Sequence, residues 1–351
     1  MKKIKRSIFY IIFILIIFLL LIDKIYSQKR QLQKSDNLKE SNFMTQNFEI
    51  GKETKLWSKK IDKIGVEKAY QEFSSIYENK DITTQHIAGH LFGNLIYEKK
   101  GLKELGTCGN MLGFGCYHVF VARTISEKGL EGIKQLDKIC LEKFGLTNGE
   151  CQHGIGHGLA EYFGSRQADL FKALTACKQT SEAGLFSGCS WGVFMEYNVQ
   201  VKTDTKRETA ALRLRKFDEK NPYDPCPKVP QELQNVCYAQ LPLWWDKILE
   251  GDFKKIGQLC QKIADKKNKE TCFFGTGMVE ASLNEYDIEK TLKICREMPD
   301  PNKEFLCRLG GRLSFRSHPK KQFLAPQMCE GLEEKVKKLC LEDKLDNLFR
   351  N

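Results

Sequence analysis

Between residues 252 and 315 the apolar positions recur at helical spacing and are interrupted by short polar breaks. Asp252 is a candidate N-cap for a first helix, and a second apolar segment occupies residues 270–283. Asp287 begins a third segment, which ends at the two prolines of residues 299–301, because proline lacks a backbone donor and clashes with the preceding turn. The pattern predicts a unit of two helices joined by short loops.

The 14 cysteines follow the period of this helical pattern. The second cysteines of successive pairs are separated by 35, 38, 48, 35, 35 and 33 residues, a spacing typical of repeat arrays. Each pair spans the end of one helix and the start of the next, and a short loop brings such positions within the roughly 7 Å that a disulfide requires. We therefore predict one disulfide in each of seven repeats, in the pairs Cys108–Cys116, Cys140–Cys151, Cys177–Cys189, Cys226–Cys237, Cys260–Cys272, Cys295–Cys307 and Cys329–Cys340.

A further repeat without cysteines precedes the seven. Residues 84–90, Thr-Gln-His-Ile-Ala-Gly-His, match residues 151–157, Cys-Gln-His-Gly-Ile-Gly-His, and Thr84 takes the place of the cysteine. The helix before this segment is predicted over residues 66–77. Repeats of this kind contact only their neighbours and together bury a continuous core. We therefore predict an all-α fold, a right-handed α-solenoid of about eight helical hairpins over about residues 60–351.

The predicted unit resembles the αα-hairpin repeats of the Sel1-like and tetratricopeptide groups, including secreted members that carry one disulfide per repeat. The resemblance covers the period, the pairing of helices and the single disulfide of each unit. It implies a solenoid that acts as a binding scaffold, and it does not imply a particular ligand.

The N-terminus combines a basic flank with an apolar run. Lysines and an arginine within residues 1–6 precede the unbroken apolar residues 8–22, a pattern typical of a signal peptide or an uncleaved signal anchor. We predict a transmembrane signal anchor over residues 7–23 with the basic flank in the cytoplasm, and cleavage with secretion is the alternative. A polar tether, residues 24–60, follows the anchor. Paired cysteines are typical of oxidising compartments, so we expect the array in the periplasm or at the cell surface.

Composition divides the array into three parts. Residues 61–198 are rich in glycine and histidine, residues 199–225 form a charged insertion, and residues 226–351 carry the last four cysteine pairs. The insertion is expected to be either a long exposed loop or an added helix through residues 213–215.

The net charge of +11 is spread over the tether, the loops and the last repeats, so we expect the membrane and a protein or envelope polymer as partners. No nucleic-acid module occurs in the sequence, which argues against a nucleic-acid partner.

Five of the six histidines lie between residues 86 and 157. When the second helices of the repeats are aligned at their cysteine positions, two shared places emerge. His86, His118 and His153 occupy the first place, and His90 and His157 occupy the second. A spacing of four residues puts both histidines of a pair on one face of a helix. Neighbouring helices pack about 8–10 Å apart, so His118 can meet either the pair His153 and His157 or the pair His86 and His90.

Three imidazoles with a carboxylate or a water suit Zn²⁺, Cu²⁺ or Fe²⁺. Glu161 continues the histidine face one turn after His157, and Glu196 lies in the next repeat. If one coordination position stays open, metal-bound water permits hydrolytic chemistry, with Glu161 or Glu196 as the base. The candidate metal ligands are therefore His86, His90, His118, His153 and His157, and the candidate catalytic carboxylates are Glu161 and Glu196.

A packing role for the same histidines is the alternative. Glycines beside them, such as Gly154 and Gly156, allow neighbouring helices to approach closely, and a histidine can then bond a neighbouring backbone group. Later repeats hold large apolar residues at the first histidine place, which indicates a core-facing position: Trp191, Phe274 and Leu309. The leading hypothesis is a membrane-anchored extracytoplasmic binding scaffold, with or without a metal ion. The second hypothesis is a metal-dependent envelope hydrolase that uses His118, His153, His157 and Glu161.

Overall fold

The computed structural model describes residues 50–80, 82–109, 112–145, 149–181, 188–199, 201–204, 209–212, 215–318 and 320–342. The predicted basic flank, the signal anchor and residues 24–49 of the predicted tether lie outside these described residues. Among the helices that are described, none is both long and apolar enough to span a membrane.

The described chain is predominantly α-helical. Its α-helices are α1 (Ile50–Ile64), α2 (Val66–Tyr77), α3 (Ile82–Lys100), α4 (Gly115–Lys128), α5 (Gly132–Phe144), α6 (Glu150–Phe163), α7 (Gln167–Cys177), α8 (Cys189–Val199), α9 (Gln231–Ile248), α10 (Phe253–Gln261), α11 (Lys266–Leu283), α12 (Ile288–Arg296), α13 (Pro301–Ser317) and α14 (Glu334–Leu341). Further 3-10 helices cover Leu102–Thr107, Cys226–Lys228 and Gln322–Cys329, and two strands, β1 (Val201–Asp204) and β2 (Thr209–Leu212), form a small sheet. Among the described residues, those from Leu56 to Thr203 and from Ala210 onward belong to one compact unit.

The second helix of each hairpin packs against the second helix of the next hairpin. These seven helices, called the B helices below, are α3, α4, α6, α8, α9, α11 and α13, and each contacts the next one in chain order. The first helices α5, α7, α10 and α12 each pack against the two B helices that flank them in the chain. This arrangement brings side chains of adjacent repeats together on the facing surfaces of the B helices.

All seven predicted disulfides are formed, with Cα–Cα distances of 5.4–5.8 Å. Six of them join a first helix, or the segment that takes its place, to the first two turns of a B helix. The seventh, Cys329–Cys340, joins a 3-10 helix to α14. The prediction of one disulfide within each repeat is confirmed, and all 14 cysteines are paired.

Aspartates cap four helices of the C-terminal repeats, and Asp300 caps the last of these, α13. Asp252, Asp265 and Asp287 each accept a hydrogen bond from the backbone N–H three residues later, at 2.8–3.0 Å. Such caps satisfy donors that have no partner inside the helix. The caps predicted at Asp252 and Asp287 are confirmed. Asp265 lies in a segment that was predicted as a loop. Because Asp265 is the N-cap, α11 begins at Lys266, four residues before the predicted start.

Glycines allow the backbones of facing B helices to touch. A Cβ atom placed on Gly277 of α11 would overlap the carbonyl oxygen of Cys307 in α13. In the reverse direction, a Cβ atom on Gly310 of α13 would overlap the carbonyl oxygen of Phe274 in α11. The opposing atoms belong to the backbone, so they cannot move aside without shifting a helix. The predicted role of glycine in close helix packing is confirmed at these positions.

Replacement of Gly277 by alanine is expected to lower the free energy of unfolding by about 3 kcal/mol, since overpacking of a well-packed interface costs about 1–3 kcal/mol or more. Denaturant unfolding followed by far-UV circular dichroism measures the change. The matched control is Gly51→Ala in α1, where an added Cβ meets no atom within 4 Å. The control is expected to be neutral or slightly stabilising, and equal losses in the two variants would contradict the proposed steric cause.

The predicted polar tether, residues 24–60, ends earlier than the sequence suggests. Residues 50–60 belong to α1, and Trp57 of this helix is only 2% exposed. Its ring packs edge-on against Phe73, with 5.0 Å between ring centroids, and also contacts Phe92. Trp57 and Ile61, four residues apart, form one apolar face in a polar segment, and that face binds the first hairpin.

The charged insertion of residues 199–225 contains the two short strands β1 and β2. Neither prediction for this segment included these strands, and residues 213 and 214 of the predicted helix lie outside the described residues. Further along the insertion, the guanidinium group of Arg215 lies over the ring of Trp244 and donates a hydrogen bond to Asn198 of α8 at 2.7 Å. These contacts fasten the end of the insertion to helices α8 and α9.

Candidate metal centre

Four consecutive B helices contribute the histidines and carboxylates of the N-terminal repeats. Helix α3 carries His86 and His90, and α4 carries His118. Helix α6 carries His153, His157 and Glu161, and α8 carries Glu196. His86 and His118 are each only 2% exposed, so these polar side chains lie inside the stack of helices rather than on its surface.

Three imidazoles and one carboxylate from α3, α4 and α6 converge on one point. The four-donor group consists of His86, His90, His118 and Glu161, and its ligand atoms all lie within 4.8 Å of one another. The Nε2 atom of His90 lies 3.1 Å from Nε2 of His86 and 3.2 Å from Nδ1 of His118. It also lies 3.6 Å from Oε2 of Glu161, and this carboxylate oxygen contacts Nδ1 of His118.

These separations match the needs of a tetrahedral ion. Bonds of about 2.0–2.1 Å from Zn²⁺ to nitrogen or oxygen put neighbouring donors about 3.3–3.4 Å apart in a tetrahedron. The three distances measured from Nε2 of His90, 3.1, 3.2 and 3.6 Å, bracket that value. The group therefore has the number and type of donors that a divalent transition metal requires, and the donors around Nε2 of His90 have a suitable spacing.

The loop before α4 orients and covers the imidazoles. The Nδ1 atom of His86 lies 3.0 Å from the carbonyl oxygen of Gly113, so an Nδ1–H donor leaves Nε2 free to face the group. The ring of Phe114 stacks on His153 and His157, with centroid distances of 4.5 and 4.4 Å. Phe114 has a positive φ of 60°, a strained conformation for a non-glycine residue, and the Cys108–Cys116 disulfide closes this loop.

Gly113 and Phe114 were not among the predicted site residues. The available signal was their position, since Leu-Gly-Phe-Gly at residues 112–115 lies directly before Cys116 and within its disulfide loop. This loop leads directly into α4, which carries His118, so it lies near the histidines.

A second group shares one histidine with the first. The three-donor group consists of His118, His157 and Glu196, whose ligand atoms also lie within 4.8 Å of one another. The Oε2 atom of Glu196 lies 2.8 Å from Nδ1 of His157 and 3.9 Å from Nε2 of His118. All three residues are buried. His118 thus presents Nδ1 to the four-donor group and Nε2 to the three-donor group.

The structure separates the residues that were proposed to act together as a hydrolase centre. Glu161 lies with the histidines of α3 and with His118, whereas His157 lies with Glu196. His153 belongs to neither group, and its Nε2 atom lies 2.9 Å from Nε2 of His157. Of the two partnerships considered for His118, the one with His86 and His90 forms a complete set of four donors.

Burial lowers the pKa of the imidazoles in the centre, whereas the neighbouring carboxylates raise it. Burial lowers the pKa of His86 to about 3 and that of His90 to about 4, with neighbouring imidazoles contributing in both. Burial also holds the pKa of His153 and of His157 well below its usual value. These four imidazoles are therefore neutral at pH 7, which is the form that binds metal.

His118 and Glu161 behave differently because they face one another. Burial lowers the pKa of His118, but the charge and hydrogen bond of Glu161 outweigh burial and raise it above 6.5. Burial raises the pKa of Glu161, but His118 and His90 outweigh burial and hold it well below its usual range. His118 and Glu161, at the junction of the two groups, therefore each favour the charged form of the other.

The later repeats place apolar residues where the early repeats place histidine. Phe274 and Leu309 occupy the first histidine place and belong to one buried apolar cluster. Trp191, at the same place in α8, is 4% exposed. The prediction that this place faces the core is confirmed. Within the described residues, clusters of metal-binding type occur in the N-terminal repeats, which contain both groups.

Comparison with known proteins gives no relative: neither a family model, nor a curated protein, nor a solved structure matches this chain. The resemblance to Sel1-like and tetratricopeptide repeats therefore depends only on the period, the helix pairing and the disulfides.

Proposed function

We propose that this protein is a metal-binding helical-repeat protein, and that its four-donor group holds one divalent transition metal ion, with Zn²⁺ as the best fit. The observation that supports the proposal is the convergence of three imidazole nitrogens and one carboxylate oxygen from three B helices. Their separations from Nε2 of His90, 3.1–3.6 Å, are those of a tetrahedral ion.

The donor set favours zinc over the other ions considered. Zn²⁺ accepts a tetrahedral set of nitrogen and oxygen donors. Cu²⁺ prefers tetragonal geometry, and Fe²⁺ with histidine and carboxylate ligands typically keeps open positions. Four protein donors at tetrahedral separations match the first of these preferences.

The number of protein donors in the four-donor group argues against the hydrolase hypothesis for this group. Structural zinc sites have four protein ligands, whereas catalytic sites keep one position for water or substrate. The four-donor group leaves no such position on a tetrahedral ion, and Glu161 serves in it as a ligand rather than as a base. We therefore assign to this group a structural or storage role for the metal.

A packing role alone accounts for the arrangement less well. Burial of polar side chains is unfavourable unless each finds a partner, and later repeats fill the first histidine place with apolar side chains. Five histidines and two glutamates concentrated in four neighbouring helices are therefore an energetic cost that a bound ion would offset.

We also propose that the repeats form a right-handed solenoid outside the cytoplasm, anchored by the N-terminal segment, and that this solenoid acts as a binding scaffold. Contacts between successive B helices support a repeat array. Seven disulfides support an oxidising compartment. The net charge of +11 favours an acidic protein, an acidic envelope polymer or anionic lipid as the partner.

The full-length chain, purified in detergent without chelator, is expected to contain at least one equivalent of zinc by elemental analysis. His90→Ala and Glu161→Gln are each expected to lose one equivalent, because each removes one of four ligands. Both residues are partly exposed, with side-chain exposures of 20% and 23%, so their replacement is less disruptive than that of a fully buried ligand.

The matched control is His318→Ala, which removes the sixth histidine. His318 lies beside the ring of Tyr286, in the C-terminal repeats, and is expected to have no effect on metal content. Uptake of Co²⁺ by the metal-free protein, with the intense visible absorption of tetrahedral cobalt, provides a second measurement. Absence of zinc together with absence of Co²⁺ uptake would refute the proposal.

A further inference from the structure

One buried nitrogen atom of the centre, Nε2 of His118, has no hydrogen-bond partner among the described residues. Its nearest acceptor in the three-donor group, Oε2 of Glu196, lies 3.9 Å away, beyond hydrogen-bond range. A buried polar atom without a partner is unfavourable, and such an atom indicates a position where an ion or a water molecule binds.

We propose that the three-donor group is a second metal site and that His118 is a bridging imidazolate between two divalent ions. The inference builds on the proposed function, because the first ion is the one held by the four-donor group. Nδ1 of His118 would bind that first ion, and Nε2 would bind the second ion together with His157 and Glu196. The imidazole ring gives up its remaining N–H proton to solvent when both ions are present.

The distances support a bridge rather than a choice between the two sites. Metal–nitrogen bonds of about 2.0–2.1 Å put ions on the two nitrogens of one imidazole about 6 Å apart. A separation of that size lets each ion keep its own remaining ligands. His90 and Glu161, of the four-donor group, contact Nδ1 of His118, and Glu196, of the three-donor group, lies 3.9 Å from its Nε2.

The second ion differs from the first in having only three protein ligands. A three-ligand site leaves a position for water or a small anion, which is the arrangement of catalytic metal sites. His157, at 4% exposure, and Glu196, at 7%, are buried, and Phe114 covers one face of His157. The exogenous ligand is therefore water, hydroxide or a small inorganic anion rather than a polymer segment.

Copper provides the test, because Cu²⁺ binds sites of this kind more tightly than Zn²⁺ and is paramagnetic. The metal-free full-length chain is loaded with one and then two equivalents of Cu²⁺, and bound copper and the integrated electron paramagnetic resonance signal are both measured. One equivalent is expected to give one spin per chain. The second is expected to bind while most of the signal is lost, since imidazolate couples two Cu²⁺ spins antiferromagnetically.

Two variants restrict the test to the second site. Glu196→Gln and His157→Ala are each expected to bind one equivalent and to keep the full one-spin signal, and retained circular dichroism shows that they are folded. Binding of a single equivalent by the parent chain would overturn the second site but leave the first. Two bound equivalents with the full signal of two spins would overturn the bridge, and no bound copper would refute the proposed function itself.

Discussion

Reduction of the seven disulfides is expected to unfold the repeat array, even when metal is present. Each disulfide closes a short loop, with sequence separations of 8–12 residues. A loop of this length is expected to contribute about 2–3 kcal/mol by limiting the unfolded chain. Together the seven contributions amount to about 14–21 kcal/mol, which reaches or exceeds the total stability of about 5–15 kcal/mol that is typical of a folded protein. The reduced protein should therefore lack a cooperative unfolding transition.

The measurement is denaturant unfolding of the full-length chain, with and without a non-chelating phosphine reductant, followed by circular dichroism at helical wavelengths. Two paired replacements show where the stabilisation arises. Cys260→Ala with Cys272→Ala removes an internal disulfide and is expected to lower the free energy of unfolding by about 3 kcal/mol. Cys329→Ala with Cys340→Ala removes the last disulfide, and only α14 and its 3-10 helix are expected to fray, since a terminal repeat has one neighbour.

A reduced protein that unfolds cooperatively within a few tenths of a kcal/mol of the oxidised protein would contradict this expectation. It would mean that packing between the B helices is sufficient for stability. The glycine contacts between α11 and α13 would then be the main stabilising feature of the C-terminal repeats.

Local features of the fold could be predicted from the sequence because their causes are local. A disulfide between the end of one helix and the start of the next depends on a short loop, and so does a cap such as Asp287. The helix predicted over residues 66–77 is found at Val66–Tyr77. The start of α11 was placed too late because Asp265 resembles a loop residue when its capping hydrogen bond is unknown.

The partnership of the histidines could not be predicted, because it depends on how neighbouring helices are aligned. The period of four residues places His153 and His157 on one face, but it does not show how far α6 is shifted along α4. In the structure the shift brings Glu161, rather than His153, to His118. Helix α1 was missed for a related reason, since polar residues surround Trp57 and its apolar contacts come from another helix.

A buried carboxyl group far along the chain from the metal centre gives the second large prediction. Glu280 of α11 is 1% exposed, and its Oε2 atom accepts a hydrogen bond from the side chain of Asn284 at 3.3 Å. Its Oε1 atom has no hydrogen-bond partner among the described residues. Burial, helped by the charge of Asp246, raises the pKa of Glu280 from 4.5 to about 8.

The raised pKa makes the stability of the protein depend on pH in a defined direction. Well below pH 4.5, Glu280 is largely protonated in both the folded and the unfolded chain, so its ionisation has little effect on stability. Between pH 4.5 and 8, Glu280 is ionised in the unfolded chain but stays mostly neutral in the folded chain. The free energy of unfolding therefore falls as pH rises. Above about pH 8, Glu280 is ionised in both the folded and the unfolded chain, and the loss of stability levels off.

Glu280→Gln removes this titration and keeps the size of the side chain, so it is expected to stabilise the protein at pH 8 by about 3 kcal/mol and at pH 5 by less than about 1 kcal/mol. Denaturant unfolding of variant and parent at both values measures the difference, and the titration of all other groups cancels in the comparison. The control, Glu289→Gln on the exposed surface of α12, is expected to stay within about 0.5 kcal/mol of the parent at both values. A difference between Glu280→Gln and the parent that is the same at pH 5 and pH 8 would show that Glu280 is charged in the folded protein, and that Lys247 or another group compensates for its burial.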